Sequence, residues 1–448
     1  MAEGASARRV AIVGAGLAGC LLAALLGRRG IEVAVYERRD DPRVAGAERG
    51  RSVNLAISAR GLLAMDQVGL RERALGRALP MHGRMVHSVP KHGVSGDQSF
   101  RPYSADGTQA INSISRTELN LTLLNVAEQT PGVTIEFGWR LRDLDMAAGE
   151  LTFETPAGTK AVRADIVLAA DGAYSAARRA VTFRQDFTFS QDYLEHGYKE
   201  LTIPATPSGD FALNPDALHI WPRGSSMMIA LPNLDRSFTC TLFWPKDELA
   251  ALQTDEQITS YFRTHYPDAA RLMPTLVEDY RLNPVGSLVT VKAWPWVHHG
   301  RSATLALVGD AAHAIVPFFG QGANCALEDC VEIDRCLGEF GGDWQRALAE
   351  YERRRKANCD AIAEMALDNF VEMRDRVNSP LYRAKMAGQH FLERRLPGHY
   401  VSRYELVSFS TMPYARIPAR MRRQGRLTAL AAAGLLTGAS VALRRALR

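Results

Sequence analysis

Cysteine is sparse and scattered in this sequence: Cys20, Cys240, Cys325, Cys330, Cys336 and Cys359 include no C-x-x-C pair, and no histidine cluster accompanies them at zinc spacing. No metal is therefore expected, and the thiols are expected to stay reduced in a cytoplasmic enzyme. A strong charge of one sign is also missing. The 54 lysines and arginines stand against 49 aspartates and glutamates, for a net +5, which is no nucleic-acid footprint. Met1 to Arg9 carries no apolar core of a secretory signal. Nor does any run reach the ~20 strongly apolar residues of a spanning helix. The nearest is Leu427–Leu443, 17 uncharged, alanine-rich residues between Arg420, Arg422, Arg423 and Arg426 on one side and Arg444, Arg445 and Arg448 on the other. It reads as a packed terminal helix, with weak peripheral membrane association through 427–443 as the other reading. Repeats and low-complexity linkers are lacking too, so the domains are expected to interleave. An apolar fraction of 46% over 448 residues gives ample core for two or three of them.

What is present begins at once. Arg9–Val13 is a β-rich run that meets glycine, Leu17–Arg29 has helical composition closed by Gly30, and Ile31–Tyr36 reads as a second strand. This is the strand–helix–strand crossover of a parallel sheet. Between its first two elements lies Gly14-Ala15-Gly16-Leu17-Ala18-Gly19, a G-x-G-x-x-G. Its glycines permit a tight turn, approach of backbone to a pyrophosphate, and close helix–strand packing, while the helix N-terminus offers the positive dipole end. Glu37 ends the next strand, where a carboxylate meets an adenosine ribose. With strand, helix and acid in register, dinucleotide binding is the reading. A glycine turn used only for packing is the poor alternative.

Further on, Ala164–Ala170 and Ala303–Val308 are apolar strands ending in Asp-Gly and Gly-Asp. Between them Ala217–Trp221, Met227–Leu231 and Ser237–Trp244 are separated by Pro-Arg-Gly and Pro-Asn-Leu-Asp, the pattern of an antiparallel sheet. Met227, Ile229 and Leu231 alternate and so share one face, which Phe243 of the following strand can join. From about Gly322 the pattern turns helical, over Asn324–Glu339 and Trp344–Arg376. Asp310 and His313 invite a hydrolytic reading, but no serine or cysteine elbow accompanies them, so His313 is expected to be structural.

Two motifs choose among dinucleotides. Ala169-Ala170-Asp171-Gly172-Ala173-Tyr174-Ser175 and Gly309-Asp310-Ala311-Ala312-His313 resemble the two distal signatures of single-component flavoprotein aromatic hydroxylases. Gly83–His87 (GRMVH), Gly197–Leu201 (GYKEL), Leu231–Phe238 (LPNLDRSF) and Asp368–Met373 (DNFVEM) narrow the resemblance to the kynurenine 3-monooxygenases, over about Arg9 to Arg416. The resemblance implies non-covalent FAD, NADPH as reductant and O2 as co-substrate. It implies that Asp310 holds the ribitol chain and that the loop Pro317-Phe318-Phe319-Gly320-Gln321-Gly322-Ala323-Asn324 runs beneath the isoalloxazine ring. It places Arg116 at the flavin as well, with Arg38, Arg39, Ala56, Leu141 and Asp171 among the cofactor contacts. For the substrate it implies Arg84 and Tyr103 at a carboxylate, assisted by Asn369 and Tyr404, beside an apolar wall of Leu218, Met227, Ile229, Leu231, Phe243, Pro317, Phe319 and Met373. No catalytic side chain is implied, because a flavin C4a-hydroperoxide carries the chemistry.

The expected architecture is α/β. A FAD-binding Rossmann-like parallel sheet (1–75, 105–185 and 285–345) carries an inserted antiparallel substrate-domain sheet (76–104 and 190–284), closed by a helical C-terminal region (346–448). The expected reaction is 3-hydroxylation of L-kynurenine or a ring-methylated kynurenine. Alternatives are a flavin-dependent halogenase, whose tryptophan motif Trp294-Pro295-Trp296 faintly resembles, and a non-catalytic flavin-binding protein. An aromatic amino acid is the expected partner. Monomer and homodimer stay open.

Overall fold

A computed structural model describes residues 8–45, 54–90, 96–104, 106–372, 388–389, 391–393, 395–396 and 400–428. Val10–Val13 is buried at all four positions, which only a strand covered on both faces allows. It lies parallel to Val33–Glu37 on one side and to Ile166–Ala169 on the other. Val133–Phe137 and Thr304–Leu307 extend the parallel set, and Val297–His299 closes one edge antiparallel, giving six strands. Helix Leu17–Arg28 has ten of its twelve residues buried and packs against helices Arg116–Gln129 and Gly322–Glu339. Gly30, at φ +77°, ends it as expected of a left-handed position.

The inserted sheet has seven strands, in the order Gly286–Trp294, Thr188–Ile203, Phe238–Pro245, Ser226–Pro232, Ala217–Arg223, Gly83–His87 and Gln98–Pro102. All neighbours are antiparallel except Ala217–Arg223 with Gly83–His87, which run parallel. The sequence pattern sees hairpins, and a parallel pair made by segments 130 residues apart has no local signal. Two further details depart from expectation. The strand Gly286–Trp294, assigned from sequence to the flavin region, is hydrogen-bonded along Thr188–Ile203 in this second sheet. The first hairpin does not break at Pro222 but continues to Arg223 and turns at Gly224, φ +68°. Pro222 is tolerated because Gly83–His87 pairs only with Ala217 to Ile220, so its missing N–H faces no partner strand.

The helical end follows Gly322–Glu339 with Trp344–Val371, capped by Asp343, whose side chain accepts from the backbone N–H of Gln345 and Arg346. A shorter helix, Arg403–Ser408, brings Tyr404 back to the junction of the two sheets. Arg60, fully buried, holds this segment: its guanidinium donates to the carbonyls of Val407 and Ser410 at 2.7 and 2.8 Å and lies 3.7 Å over the Tyr414 ring. No helix among the described residues is long and apolar enough to cross a membrane. Most of 427–443 lies outside the described residues.

Candidate active site

The glycines of the first turn divide into two jobs. Gly14 has φ +98°, and a side-chain carbon there would sit 2.7 Å from the Ala170 carbonyl; one on Gly19 would strike the Gly14 carbonyl. Both are needed for the chain to pack against itself. Gly16 has nothing within 4 Å of that position, so its bareness leaves open space at the N-terminus of Leu17–Arg28, with Leu17 buried and Ala18 half-buried behind it. Glu37 accepts from Ala15 N–H at 2.8 Å with one oxygen and from the Arg39 backbone and guanidinium with the other. Burial works to raise its carboxyl, but the Arg39 hydrogen bond and charge and the two backbone N–H groups outweigh that and hold it below the usual range. It is an anion, and four lone-pair sites leave it capacity for a ribose hydroxyl. Arg38 and Arg39 are exposed beside it, and Leu141 is buried in the three-stranded sheet, in register with Phe153.

A cavity of about 300 Å³ opens between the two sheets. One wall is the flavin-side loop set: Ala56, Arg116, Asp310, Pro317, Phe318, Phe319, Gly320, Gly322 and Ala323 all line it. Burial raises the carboxyl of Asp310, against the lowering effect of the Arg116 guanidinium. Asp171 turns Oδ2 to the backbone N–H of Ala176 and Ala177, at 2.6 and 3.1 Å, while Oδ1 is buried with no hydrogen-bond partner. Burial raises this carboxyl too. Asn324 serves the loop rather than the cavity. Its Oδ1 accepts from Ser58 N–H and Gly61 N–H, and its Nδ2 donates to the carbonyls of Ala56 and Gly320 at 2.9 and 2.8 Å. Asn369, expected at the substrate, likewise donates to the Phe318 carbonyl at 2.8 Å.

The opposite wall is one face of the seven-stranded sheet. Register explains it: Leu218 lies opposite Arg84, and Met227 opposite Phe243, which in turn faces Tyr198. Ile229 and Leu231 continue the face, so the alternation read from sequence is realised. Arg84 lies 4.3 Å over the Tyr404 ring and 5.7 Å over that of Tyr103, and these two rings stack at 4.8 Å. Burial, then the Tyr404 hydroxyl, raises the Tyr103 phenol well above its usual range, so it is a neutral donor. Phe319 stacks against Tyr404 at 5.9 Å. Met373 lies outside the described residues. Sequence reasoning missed Ile111, Tyr198, Thr241 and Leu288, which also line the cavity. Tyr198 stood within the quoted GYKEL motif and Thr241 alternates with Phe243, so both had a signal, whereas Ile111 and Leu288 had none.

His313, expected to be structural, does not line the cavity. It is buried against Asp329 at 2.5 Å, inside a network that also holds Arg355. The Trp294–Trp296 turn contributes nothing to the cavity; Trp296 is buried against His313 and Tyr351.

Residues 7–366 match the profile of a family described as FAD binding domain. The kynurenine 3-monooxygenase of Myxococcus xanthus is 49% identical over 410 residues, covering 90% of this chain and 86% of the relative. That of Dictyostelium discoideum is 44% identical over 421 residues, covering 91% and 89%. The chain belongs to the kynurenine 3-monooxygenase family. In fold it is similar to the tetrameric form of 2-methyl-3-hydroxypyridine-5-carboxylic acid oxygenase, with a TM-score of 0.66 at 22% identity over 85% of this chain and 95% of that one. Pseudomonas aeruginosa PqsL in complex with 2-aminobenzoylacetate gives 0.62 at 20% identity, over 82% and 97%.

A family member of this kind is an FAD-dependent monooxygenase, and the residues present fit that cofactor. The open space at Gly16 suits a pyrophosphate, the unpartnered Oδ1 of Asp171 and the cavity-lining Asp310 suit hydroxyl donors, and the N-terminal turn of Gly322–Glu339 presents its dipole to the cavity.

Proposed function

We propose that the chain 3-hydroxylates L-kynurenine, or a ring-methylated kynurenine, consuming NADPH and O2. One observation carries this reading: a single guanidinium, Arg84, flanked by the stacked phenols Tyr103 and Tyr404, ends a cavity whose sheet wall is otherwise almost wholly apolar. An aromatic amino acid asks for that division, its ring dry and its carboxylate held. Arg84 is the cation on the sheet side of the cavity, and Arg116 lies on the loop side, where the resemblance places the flavin.

Bound FAD supplies electron transfer from NADPH and the activation of O2. The protein's own work is placement. Arg84 pairs with the carboxylate, and Tyr103, kept neutral by burial, adds a hydrogen bond without adding charge. Leu218, Met227, Ile229, Leu231 and Phe243 exclude water from the ring, while Pro317 and Phe319 bound it on the loop side. Asn324 and Asn369 hold the loop backbone at Ala56, Phe318 and Gly320, so the ring-bearing wall does not drift; a misplacement of an ångström costs ~100-fold in rate. A ring methyl is worth only ~1–3 kcal/mol in such a wall, which is why both kynurenines stand together in this reading.

The test follows NADPH oxidation and chromatographed product together, with a peroxidase couple for uncoupled O2 reduction. L-kynurenine or its methylated analogue should accelerate NADPH oxidation and yield hydroxylated product. If FAD-loaded protein makes none from either, the substrate reading fails. If oxidation stays flat with every aromatic amino acid, the chain is a flavin-binding protein without turnover.

A further inference from the structure

Two residues beyond the cavity-lining Ala323, helix Gly322–Glu339 buries Cys325 in a polar cluster that no step above uses. His313, Cys325, Asp329 and Cys359 bring their side-chain donor atoms within 4.8 Å of one another, all buried. Metal ligation is one use for such a set, but here the lone pairs are engaged. Asp329 Oδ2 accepts from Gly309 N–H at 3.0 Å and meets His313 Nε2 at 2.5 Å, and Oδ1 accepts from Arg355 Nε at 2.7 Å. Arg355 Nη2 donates to the Cys325 carbonyl and lies 3.1 Å from Cys325 Sγ. A guanidinium seated among the donors already supplies the positive charge a cation would bring.

What this arrangement leaves is a thiol pair. Cys325 Sγ and Cys359 Sγ are 3.6 Å apart, both fully buried, on two helices that run back along each other. A disulfide holds its sulfurs at about 2.05 Å, so this pair would have to close by about 1.5 Å. We propose that Cys325 and Cys359 form a peroxide-oxidisable dithiol, with Cys325 the attacking sulfur and Cys359 the resolving one.

The two sulfurs are not equivalent. The hydrogen bond from Cys359, with the charges of Arg355 and His313, holds the Cys325 thiol below the usual range in spite of burial. Burial pushes Cys359 well above it, as it does Cys20, Cys240, Cys330 and Cys336, for each of which burial is the largest effect. In the reaction, the Cys325 thiolate attacks one oxygen of hydrogen peroxide. The O–O bond breaks, the departing hydroxide takes a proton as water, and Cys325 becomes a sulfenic acid. Cys359 then displaces the hydroxyl as a second water and the S–S bond forms. Two thiols lose two electrons and one peroxide gains them. A flavin monooxygenase that reduces O2 with no ring to receive the oxygen releases peroxide into the cavity lined by Ala323. That source rests on the proposed function; the thiol chemistry does not. The bond would tie the loop helix to Trp344–Val371.

The experiment takes the FAD-loaded full chain without substrate, adds hydrogen peroxide, blocks remaining thiols with an alkylating agent and maps the tryptic peptides. The expected main product joins the Cys325 and Cys359 peptides, is reversed by dithiothreitol, and leaves the other four cysteines alkylated. Cys359→Ser should instead give a dimedone adduct on Cys325. Both thiols surviving peroxide that oxidises the other cysteines, a crosslink between other positions, or no dimedone adduct in Cys359→Ser each overturns the proposal. A second arm replaces peroxide with NADPH, with and without catalase. The crosslink should form only without catalase. If added peroxide produces it and NADPH does not, the dithiol stands and the oxygen chemistry of the proposed function is what fails.

Discussion

Removing the guanidinium at position 84 separates the substrate pocket from the cofactor site. Arg84 stands on Gly83–His87, opposite Leu218, and its charge lies over the Tyr404 and Tyr103 rings. The sheet face around it is mostly apolar (Leu218, Met227, Ile229, Leu231 and Phe243, with Tyr198 and Thr241 its polar members), so in Arg84→Ala a bound carboxylate would lose the cation that lines the cavity there. Breaking one partner of a desolvated, hydrogen-bonded ion pair costs about 2–5 kcal/mol, which corresponds to roughly 30- to 5000-fold in affinity. Because Arg84 is only half-buried, the lower half of that range is the expectation, about 30- to 400-fold. Tyr103→Phe removes one neutral donor to a charged group, about 1.5–3 kcal/mol. Neither residue touches the Gly14–Gly19 turn, so the FAD-to-protein absorbance ratio should equal wild type. The assay is a kynurenine titration of NADPH oxidation, with product and peroxide measured in the same samples. The variants should show a raised half-saturation and a larger share of electrons going to peroxide. Normal affinity and coupling in Arg84→Ala would refute the carboxylate assignment and leave the flavoprotein class intact. Loss of FAD in the same variant would show that the two sites are not separable as argued.

The remaining expectations are briefer. FAD should be released on denaturation, since no covalent attachment residue is apparent; flavin retained on the denatured chain would contradict this. Gly16→Ala should lower FAD occupancy while leaving the melting temperature of the FAD-free chain unchanged, because its added carbon meets open space. Gly14→Ala, at φ +98° and 2.7 Å from a carbonyl, should lower that temperature through ~1–2 kcal/mol of backbone strain or more. Burial pushes the Glu200 carboxyl up to about 7, against the lowering effect of Arg116. The native state therefore binds this proton more tightly than the unfolded chain, and the stability it confers below about pH 4.5 is lost as pH rises through 7. Glu200→Gln should gain about 1–3 kcal/mol over wild type at pH 8, after allowance for screening, and almost nothing at pH 4 in urea melts. Deletion after Arg426 discriminates the two readings of 427–443. A packed helix predicts lost turnover, and a membrane tail predicts retained turnover with lost binding to anionic vesicles, at ~1 kcal/mol per flanking arginine.

The cofactor half of this protein was legible in its residues because its determinants are local. A buried strand, a glycine turn, a helix and an acid within 30 residues obey steric and dipole rules that operate along the chain, and Met227, Ile229 and Leu231 share a face by the pleat of one strand alone. The resemblance in its short motifs then extended the reading to Arg84, Tyr103 and Tyr404; Arg84 and Tyr404 line one cavity, and Tyr103 is buried and stacked on Tyr404. Only the tertiary structure decided what lies across from each of them. Leu218 faces Arg84 through a parallel pairing that no hairpin signal encodes, and Gly286–Trp294 joins the second sheet after a long excursion. The two amides Asn324 and Asn369 turn to the loop backbone because carbonyls and N–H groups from remote segments arrive there first. Cys325 and Cys359 show the same limit. They are 34 residues apart, without a motif between them, and become a pair because two helices fold back on each other and bury Asp329 and Arg355 between them. Periodicity reports which face of an element is apolar; which polar groups meet inside is set by packing at separations where the chain itself carries no pattern.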